Sequence, residues 1–256
     1  MIQATVSVVS HGHGRLLHEL LTDLSGQENI AAFSVVLTLN LADEAFDASA
    51  YPVLDLTVLR NPRPQGFGAN HNAAFAHCRS PWFIVLNPDI RISDRTALQR
   101  LTQDTPLPAS GIVAPLVLSS LGIPEDAVRP NLSLPSLLAR ACGRRDRHMP
   151  AGSAIRGRPF YWLAGMCMVA SSAAYRQVGG FDERFFLYCE DYDLCARLYL
   201  AGYELTVDDS VSVVHDAQRD SHGSAKHLRW HLSSLMKVWL SSSFWKIVFA
   251  RTRADT

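Results

Sequence analysis

Short apolar runs alternate with helical patterns along the N-terminal third of the chain. Four runs are apolar enough to be buried strands: residues 5–10, 34–39, 54–59 and 82–86. Between them, the leucines of 16–24 recur at helical spacing, and residues 69–77 are also predicted to form a helix. Strands that alternate with helices predict a Rossmann-like α/β fold, with a mostly parallel sheet, helices on both faces, and ligands at the strands' carboxyl ends.

The remainder of the chain is less regular. Residues 119–158 are rich in Pro, Ser and Arg, which predicts a mobile loop over a site. A further helix is predicted from Asp191 through Leu200, and a strand over 210–214. After about His222 apolar side chains again recur at helical spacing, so we expect a helical, amphipathic tail.

The composition is that of a globular protein with a substantial core. The chain has 256 residues, of which 48% are hydrophobic and 19% charged, and these values exclude a disordered chain. Its five cysteines show no paired spacing, which argues against a disulfide framework or zinc knuckle and favours a reducing compartment. No run of about 18 apolar residues occurs, so we expect a cytosolic protein that does not span a membrane.

Charge is balanced over the whole chain but unevenly distributed. Residues 182–209 carry eight acids and two bases, whereas residues 219–253 carry seven bases and one acid. The acidic segment suggests a cation site and the basic tail an anionic partner, with solvated faces as the alternative for each. Overall neutrality argues against a nucleic-acid partner.

A glycine-containing turn, Ser10-His11-Gly12-His13-Gly14, follows the first predicted strand. Its backbone amides are placed to face a nucleotide. A dinucleotide-binding motif would need glycine at position 17, where Leu17 stands, so a dehydrogenase is a weak interpretation. A tight turn without a ligand is the alternative.

The segment 61–72, NPRPQGFGANHN, combines glycines with side-chain amides just before a helix. Such a loop can hydrogen-bond a base, a ribose or a phosphate at a helix N-terminus. An ordinary loop and helix cap would contain the same residue types.

Asn87-Pro88-Asp89 comes directly after the last of the four strands. A carboxylate in this position is well placed to bind a divalent cation that bridges a diphosphate, since Mg²⁺ prefers one or two carboxylates together with phosphate oxygens. A simple Asx turn is the alternative.

Glu190 and Asp191 lie where the aromatic segment that begins Gly179-Gly180-Phe181-Asp182 turns into the predicted helix. A partly buried carboxylate there can act as a general base for a sugar hydroxyl. Acids in the first turn of a helix also complement its dipole, which is the simpler interpretation of Asp193.

Taken together, these four segments resemble the family 2 glycosyltransferases of the GT-A fold in order and spacing, over residues 4 to about 240. Within that family the likeness is closest to bacterial rhamnosyltransferases that build cell-surface polysaccharide on an undecaprenyl diphosphate carrier. The finer similarity is carried by residues 8–13, 162–165, 215–218 and 229–231.

The resemblance implies roles for particular residues. Asp89 would hold a divalent cation, Mg²⁺ or Mn²⁺, as the last acid of a D-x-D-like motif that begins here with Asn87, and His215 would complete the metal site. Asp191 would be the catalytic base, with Glu190 as its neighbour. The residues expected to bind the nucleotide-sugar are Ser10, His11, Gly12, Asn40, Asn61, Gly66, Phe67, Asn72 and Asn87. The residues expected to bind the acceptor are Trp162, Gly165 and Arg229.

The chain departs from the family at the end of the second strand. Many members have an acid there for the nucleotide base, whereas this chain has Leu39-Asn40. The domain organisation that follows from the resemblance is a catalytic domain over 1–218, with a nucleotide-binding half (1–90) and an acceptor half (91–218), and a C-terminal segment over 219–256.

The predicted function is inverting transfer of a 6-deoxyhexose, L-rhamnose from dTDP-rhamnose, to an undecaprenyl-diphosphate-linked sugar at the cytoplasmic face of the inner membrane. Another nucleotide-sugar donor, such as galactofuranose or a hexose, a nucleotidyltransferase, and a non-catalytic carbohydrate- or nucleotide-binding module are the alternatives. The tail residues 235–253 mix aromatic and basic side chains, which suits a lipid interface. Packing on the catalytic domain, or on a second subunit in a homodimer, would use the same aromatic residues.

Overall fold

An eight-stranded mixed sheet organises the computed structural model, which describes residues 2–103, 109–142, 160–216 and 225–254. The strands are β1 (Ala4–Ser10), β2 (Phe33–Leu39), β3 (Asp55–Arg60), β4 (Trp82–Leu86), β5 (Ile90–Arg91), β6 (Ser110–Ser119), β7 (Val128–Pro130), β8 (Tyr161–Leu163), β9 (Cys167–Ser171) and β10 (Glu204–His215). The helices are α1 (Arg15–Ser25), α2 (Phe67–Phe75), α3 (Ala97–Gln103), α4 (Leu134–Ala141), α5 (Ser172–Gln177), α6 (Glu190–Leu200), α7 (Ala225–Leu240) and α8 (Ser242–Ala254).

The strand order is β3-β2-β1-β4-β9-β6-β10-β5, and β7 pairs with β8 in a separate ribbon. The predicted strands β1 to β4 are confirmed and run parallel to one another. β9 lies antiparallel between β4 and β6, and β5 lies antiparallel to β10 at the edge. The sheet therefore has the predicted parallel half and a mixed second half.

Both faces of the sheet are covered, which explains why its central strands are apolar without alternation. Along β4, the side chains of Trp82, Ile84 and Leu86 join the core beneath α1 and α3. Phe83 and Val85 join the opposite core, with α5, α6 and the tail. All five residues of β4 are buried as a result.

Part of the segment predicted as a loop, 119–158, has regular structure. It contains the end of β6, all of β7, and α4. β7 forms because its partner β8 comes from beyond the segment, so the pairing is not visible in local sequence. Residues 143–159, which include most of the arginines of this segment, lie outside the described residues.

The tail is helical as predicted, and part of its aromatic content packs on the sheet domain. Phe244 and Ile247 of α8 are 5% and 4% exposed and lie in the core that includes α6. Trp239 donates its indole N–H to the carbonyl of Leu132 at 2.9 Å. Trp245 remains half-exposed. The predicted domain boundary at 218 lies outside the described residues.

In the described ranges, no helix combines the length and apolar character needed to cross a bilayer.

Candidate active site

The predicted site lies where β1, β2 and β4 end side by side. Their parallel register places Ser10 beside Leu39, and the backbone N–H of Asn40 donates to the Ser10 carbonyl at 2.8 Å. Because the three strands point the same way, the loops that follow them meet at one edge of the sheet.

Asp89 and His215, distant in sequence, are brought together by the pairing of β5 with β10. His215 Nε2 lies 3.1 Å from Asp89 Oδ2, and the backbone N–H of Asp216 donates to the Asp89 carbonyl at 2.8 Å. Glu125, which the sequence analysis did not single out, lies on the other side of the imidazole, with Oε2 2.7 Å from His215 Nδ1. Burial lowers the pKa of His215, but the hydrogen bonds and charges of Asp89 and Glu125 outweigh it and raise that pKa to about 9.

These side chains fit a divalent cation that shares its coordination with a substrate. Asp89 Oδ1 is buried and has no hydrogen-bond partner, so it keeps lone pairs for a ligand. Among the described residues no group of three or more His, Cys, Asp or Glu is placed to enclose a metal. Mg²⁺ is commonly held by one or two carboxylates while a diphosphate and water complete its shell, and Asp89 supplies one. His215, whose pKa of about 9 keeps it protonated near neutral pH, would release its Nε2 proton to bind a metal.

The glycine turn after β1 is tied to a second carboxylate that the sequence analysis missed. Glu44 accepts hydrogen bonds from the Ser10 hydroxyl and, at 3.1 Å, from the backbone N–H of Gly12, whose φ is 78°. Glu44 lies five residues beyond the end of β2. It lines a cavity of about 410 Å³ together with Phe46 and Tyr51. His11, within the same turn, is exposed.

Two asparagines predicted to bind the nucleotide-sugar belong to a hydrogen-bond network within the protein. Asn40 Oδ1 accepts from Asn61 Nδ2 and from the backbone N–H of Gln65, both at 2.8 Å. Asn40 Nδ2 donates to the Gln65 carbonyl at 3.0 Å. This network joins β2 to the loop before α2, so Asn40 and Asn61 hold the loop in place.

Asn72 has no hydrogen-bonding capacity left for a ligand. Its Nδ2 donates to the Phe181 carbonyl and to Glu183, and its Oδ1 accepts from the Tyr175 hydroxyl and the Phe181 N–H. An amide makes about four hydrogen bonds, and here all four are made. In this structure Asn72 connects α2 to the turn at 180–181.

Gly66 and Phe67 form a close backbone contact with the segment that leads into α6. The N–H of Phe67 donates to the Phe186 carbonyl at 2.9 Å. A Cβ atom on Gly66 would lie 2.7 Å from that same oxygen, closer than such atoms approach, which explains the need for glycine. The Phe67 ring lies against Gly165 and Phe181.

Asp191 is held by backbone donors at the start of α6. Its Oδ2 accepts from Gly165 N–H at 3.0 Å and its Oδ1 from Tyr192 N–H at 2.8 Å. The next residue after Gly165, Met166, accepts from the N–H of Asn87 at 2.9 Å. Two adjacent residues thus join the predicted base to the turn that carries Asp89.

Glu190 has a different environment from its neighbour. It is 5% exposed, and its buried Oε2 has no hydrogen-bond partner. Tyr188 and Cys189, just before it, adopt left-handed φ angles of 73° and 65°, which strain the entry to the helix.

The two carboxyl groups titrate as a pair with raised pKa values. Burial and the charge of Asp191 raise the pKa of Glu190 to about 8. Burial also raises the pKa of Asp191, while Arg129 and the backbone N–H donors oppose the increase. The donors and Arg129 favour the carboxylate on Asp191, so Asp191 ionises first and Glu190 holds the proton near neutral pH.

Trp162 is a buried residue of the strand pair of β7 and β8. It is 3% exposed, and its indole N–H donates to the Pro130 carbonyl at 2.9 Å. Its ring supports Arg129, whose guanidinium lies 5.1 Å from the ring centroid. The acceptor contact by Trp162 stays a prediction.

The other predicted residues lie in different places. Gly165 binds the Asp191 carboxylate, as described above. Arg229 is exposed on α7, and Asn87 is half-buried in the turn before Asp89.

Comparison with known proteins agrees with this architecture. The family model "Glycosyltransferase like family 2" matches residues 3–233. N-acetylglucosaminyl-diphospho-decaprenol L-rhamnosyltransferase of Mycobacterium tuberculosis is 32% identical over 171 residues, 60% of this chain and 53% of the relative, so the match spans about half of that relative's length. Rhamnosyltransferase WbbL of Escherichia coli K12 is 26% identical over 243 residues, 91% of this chain and 90% of the relative.

A solved structure, mannosyltransferase PcManGT from Pyrobaculum calidifontis in complex with GDP-Man and Mn²⁺, has a TM-score of 0.61 at 16% identity. The structural match covers 98% of this chain and 75% of the mannosyltransferase chain. Structural similarity at such low sequence identity shows the fold alone. The predicted GT-A fold is confirmed. Because the family model spans most of the sequence, the predicted family is confirmed as well: this chain belongs to glycosyltransferase family 2.

Proposed function

We propose that the protein is an inverting glycosyltransferase that moves a 6-deoxyhexose, L-rhamnose from dTDP-rhamnose, to a lipid-linked sugar acceptor. The observation that carries the proposal is the Asp191 carboxylate, fixed by two backbone donors and joined through Gly165-Met166 to the turn of Asp89. A base and a diphosphate site in one rigid unit suit a transfer from a nucleotide-sugar. The two relatives named above are both rhamnosyltransferases, which supports rhamnose as the sugar.

Asp191 takes the proton of the acceptor hydroxyl at a carboxylate oxygen. That hydroxyl oxygen attacks the anomeric carbon from the side opposite the diphosphate, the bond from carbon to diphosphate oxygen breaks, and the nucleoside diphosphate leaves. A single displacement of this kind inverts the anomeric centre. Glu190, protonated near neutral pH, does not compete for the proton of the acceptor.

Asp89 and His215 would hold a divalent cation, Mg²⁺ or Mn²⁺, which supplies positive charge beside the leaving diphosphate when bound. Mn²⁺ in the mannosyltransferase complex supports this choice of metal. Glu44 beside the glycine turn is the candidate acceptor for the imide N–H of a thymine or uracil base.

The acceptor is proposed to carry a polyprenyl diphosphate, as in the name of the mycobacterial relative. Such an acceptor lies in a membrane, so the protein is proposed to work as a peripheral enzyme at a cytoplasmic membrane surface.

A transfer screen tests the proposal. The full chain is incubated with dTDP-rhamnose, UDP-galactofuranose, UDP-glucose and GDP-mannose, with Mg²⁺ or Mn²⁺ and a polyprenyl-diphosphate-linked sugar, and the products are identified by mass spectrometry. We expect rhamnose transfer from dTDP-rhamnose, abolished by EDTA. Preference for another sugar would overturn the donor assignment, and no transfer with any donor would overturn the enzymatic proposal.

A further inference from the structure

The outward side of α7 carries an apolar ridge exposed to solvent. Four residues spaced four apart form it: Leu228 (62% exposed), Leu232 (55%), Met236 (52%) and Leu240 (79%). Helical residues at this spacing lie on one side of the helix. We call these four residues the α7 ridge.

The opposite side of α7 packs on the catalytic domain, so the ridge faces solvent. Tyr188 Oη lies 2.7 Å from His227 Nδ1, and the Ser234 hydroxyl donates to the Leu187 carbonyl at 2.9 Å. Val238 is 1% exposed in the core. A surface helix ordinarily directs polar residues outward, so a row of large apolar residues there indicates an interaction surface.

The positive charge of the tail favours an anionic partner for this surface. Residues 225–254 contain six bases, Lys226, Arg229, Lys237, Lys246, Arg251 and Arg253, and no acid. A second copy of the chain would bring the same positive charge to the contact, which opposes a dimer through this helix. An anionic bilayer offers apolar chains for the ridge and negative headgroups for the exposed bases Lys226, Arg229 and Lys246.

We infer that the protein docks on an anionic bilayer through the α7 ridge, with α7 lying in the headgroup region. This inference rests on the proposed function, which requires an acceptor held in a membrane. It also changes the residues involved, because Phe244 and Ile247, expected from sequence to face lipid, are buried.

Docking through this face would hold the candidate base at a defined height above the lipid. The inner side of α7 contacts Leu187 and Tyr188, and the Glu190–Asp191 pair follows within three residues. A helix with its side chains is about 10 Å across, so α7 separates Leu187 and Tyr188 from the bilayer by about that thickness. A sugar on a membrane-anchored diphosphate can extend that far from the bilayer while its lipid stays in it.

Vesicle co-sedimentation tests the docking surface directly. The full chain is mixed with phosphatidylcholine vesicles, with or without phosphatidylglycerol, at low and high salt. We expect binding to the anionic vesicles that weakens with salt. The double variant Leu232→Ser/Met236→Ser should bind at least about tenfold more weakly, because it removes apolar side chains that enter the interface.

Two further variants separate docking from misfolding. Val53→Ser/Leu121→Ser removes exposed apolar residues outside the tail and should bind like wild type. Lys226→Gln/Lys246→Gln keeps the ridge and should lose roughly tenfold on anionic vesicles, since each base near such a surface contributes to binding. The inference fails if wild type stays in the supernatant with anionic vesicles at low salt, or if the ridge variant binds as wild type does. It also fails if wild type is a dimer that the ridge variant dissociates.

Turnover distinguishes this inference from the proposed function. The ridge variant should transfer sugar normally to a short-chain, water-soluble acceptor and poorly to an acceptor embedded in anionic vesicles. Equal loss with both acceptors would overturn the docking inference. Ridge-dependent vesicle binding without transfer by wild type would overturn the proposed function and leave the docking surface in place.

Discussion

At the scale of single residues, Glu190 and Asp191 show how neighbouring carboxyl groups acquire different properties. Both begin the same helix, but Asp191 accepts two backbone hydrogen bonds and Glu190 Oε2 accepts none. The donors stabilise charge on Asp191, whereas burial and the charge of Asp191 destabilise it on Glu190. The pair therefore separates into a carboxylate suited to be a base and a neutral acid.

Replacing Glu190 should change how stability depends on pH. The folded-state pKa of about 8 exceeds the ordinary value of 4.5, so the folded protein binds a proton that the unfolded chain releases between these pH values. Wild type should lose stability as pH rises through this window. Glu190→Gln should lack that loss and be more stable than wild type at pH 8, by about 4 kcal/mol at most. Urea unfolding at pH 5 and pH 8 measures it, and parallel pH dependence in both proteins would contradict the assignment.

Glu125 should act on the metal site through His215. A carboxylate on one imidazole nitrogen orients the ring and strengthens the other nitrogen as a ligand. We expect Glu125→Ala to weaken Mn²⁺ binding in the presence of dTDP by about 10- to 100-fold, with Glu125→Gln affected less, because its amide oxygen can still accept from Nδ1. Glu28→Ala, at an exposed acid, is the matched control. Calorimetry measures the affinity, and an unchanged value in Glu125→Ala would remove Glu125 from this role.

At the scale of elements, the loop of 61–67 and the segment before α6 act as one unit because glycine lets their backbones touch. Gly66→Ala would place a Cβ atom 2.7 Å from the Phe186 oxygen and 2.9 Å from its Cα, and neither backbone atom can move alone. We expect a loss of about 1–3 kcal/mol in the free energy of unfolding, typical of overpacking, together with reduced turnover.

Gly26→Ala is the control for that substitution. Gly26 has a helical φ of −85°, and the nearest atom to its Cβ position lies at 3.5 Å. This variant should unfold like wild type or slightly later. Equal behaviour of the two variants in urea unfolding would show that the contact at Gly66 has no energetic role.

Elements differed in how far the sequence predicts them. The parallel strands are predictable because burial on both faces requires continuous apolar runs such as Trp82–Leu86. The direction of β9 is not predictable, since its five buried residues would suit either orientation.

Among site residues, Asp89 and Asp191 lie at strand and helix boundaries, which a sequence shows. Glu44 and Glu125 lie in polar loops, and their positions depend on contacts with Gly12 and His215 that appear only on folding.

At the scale of the whole molecule, the two helices of the tail have different surroundings. α8 completes the core around α6, while α7 turns its ridge to solvent. Phe244→Ala should therefore cost about 3–5 kcal/mol of stability, as for other buried Phe residues. Leu240→Ala, at a site that is 79% exposed, should change it by about 0.5 kcal/mol or less. Thermal unfolding compares them, and similar transition temperatures would contradict the packing of α8.

The central claim is that Asp191 is the base of an inverting sugar transfer, and one measurement with the Asp191→Asn variant tests it most directly. Transfer from dTDP-rhamnose is followed in wild type and variant, donor affinity is measured in both, and the anomeric configuration of the product is read by NMR. The account predicts an inverted product from wild type, unchanged donor affinity, and turnover lowered by about 10²- to 10⁴-fold in the variant. A product with retained configuration, or an Asp191→Asn variant that turns over at the wild-type rate, would contradict it.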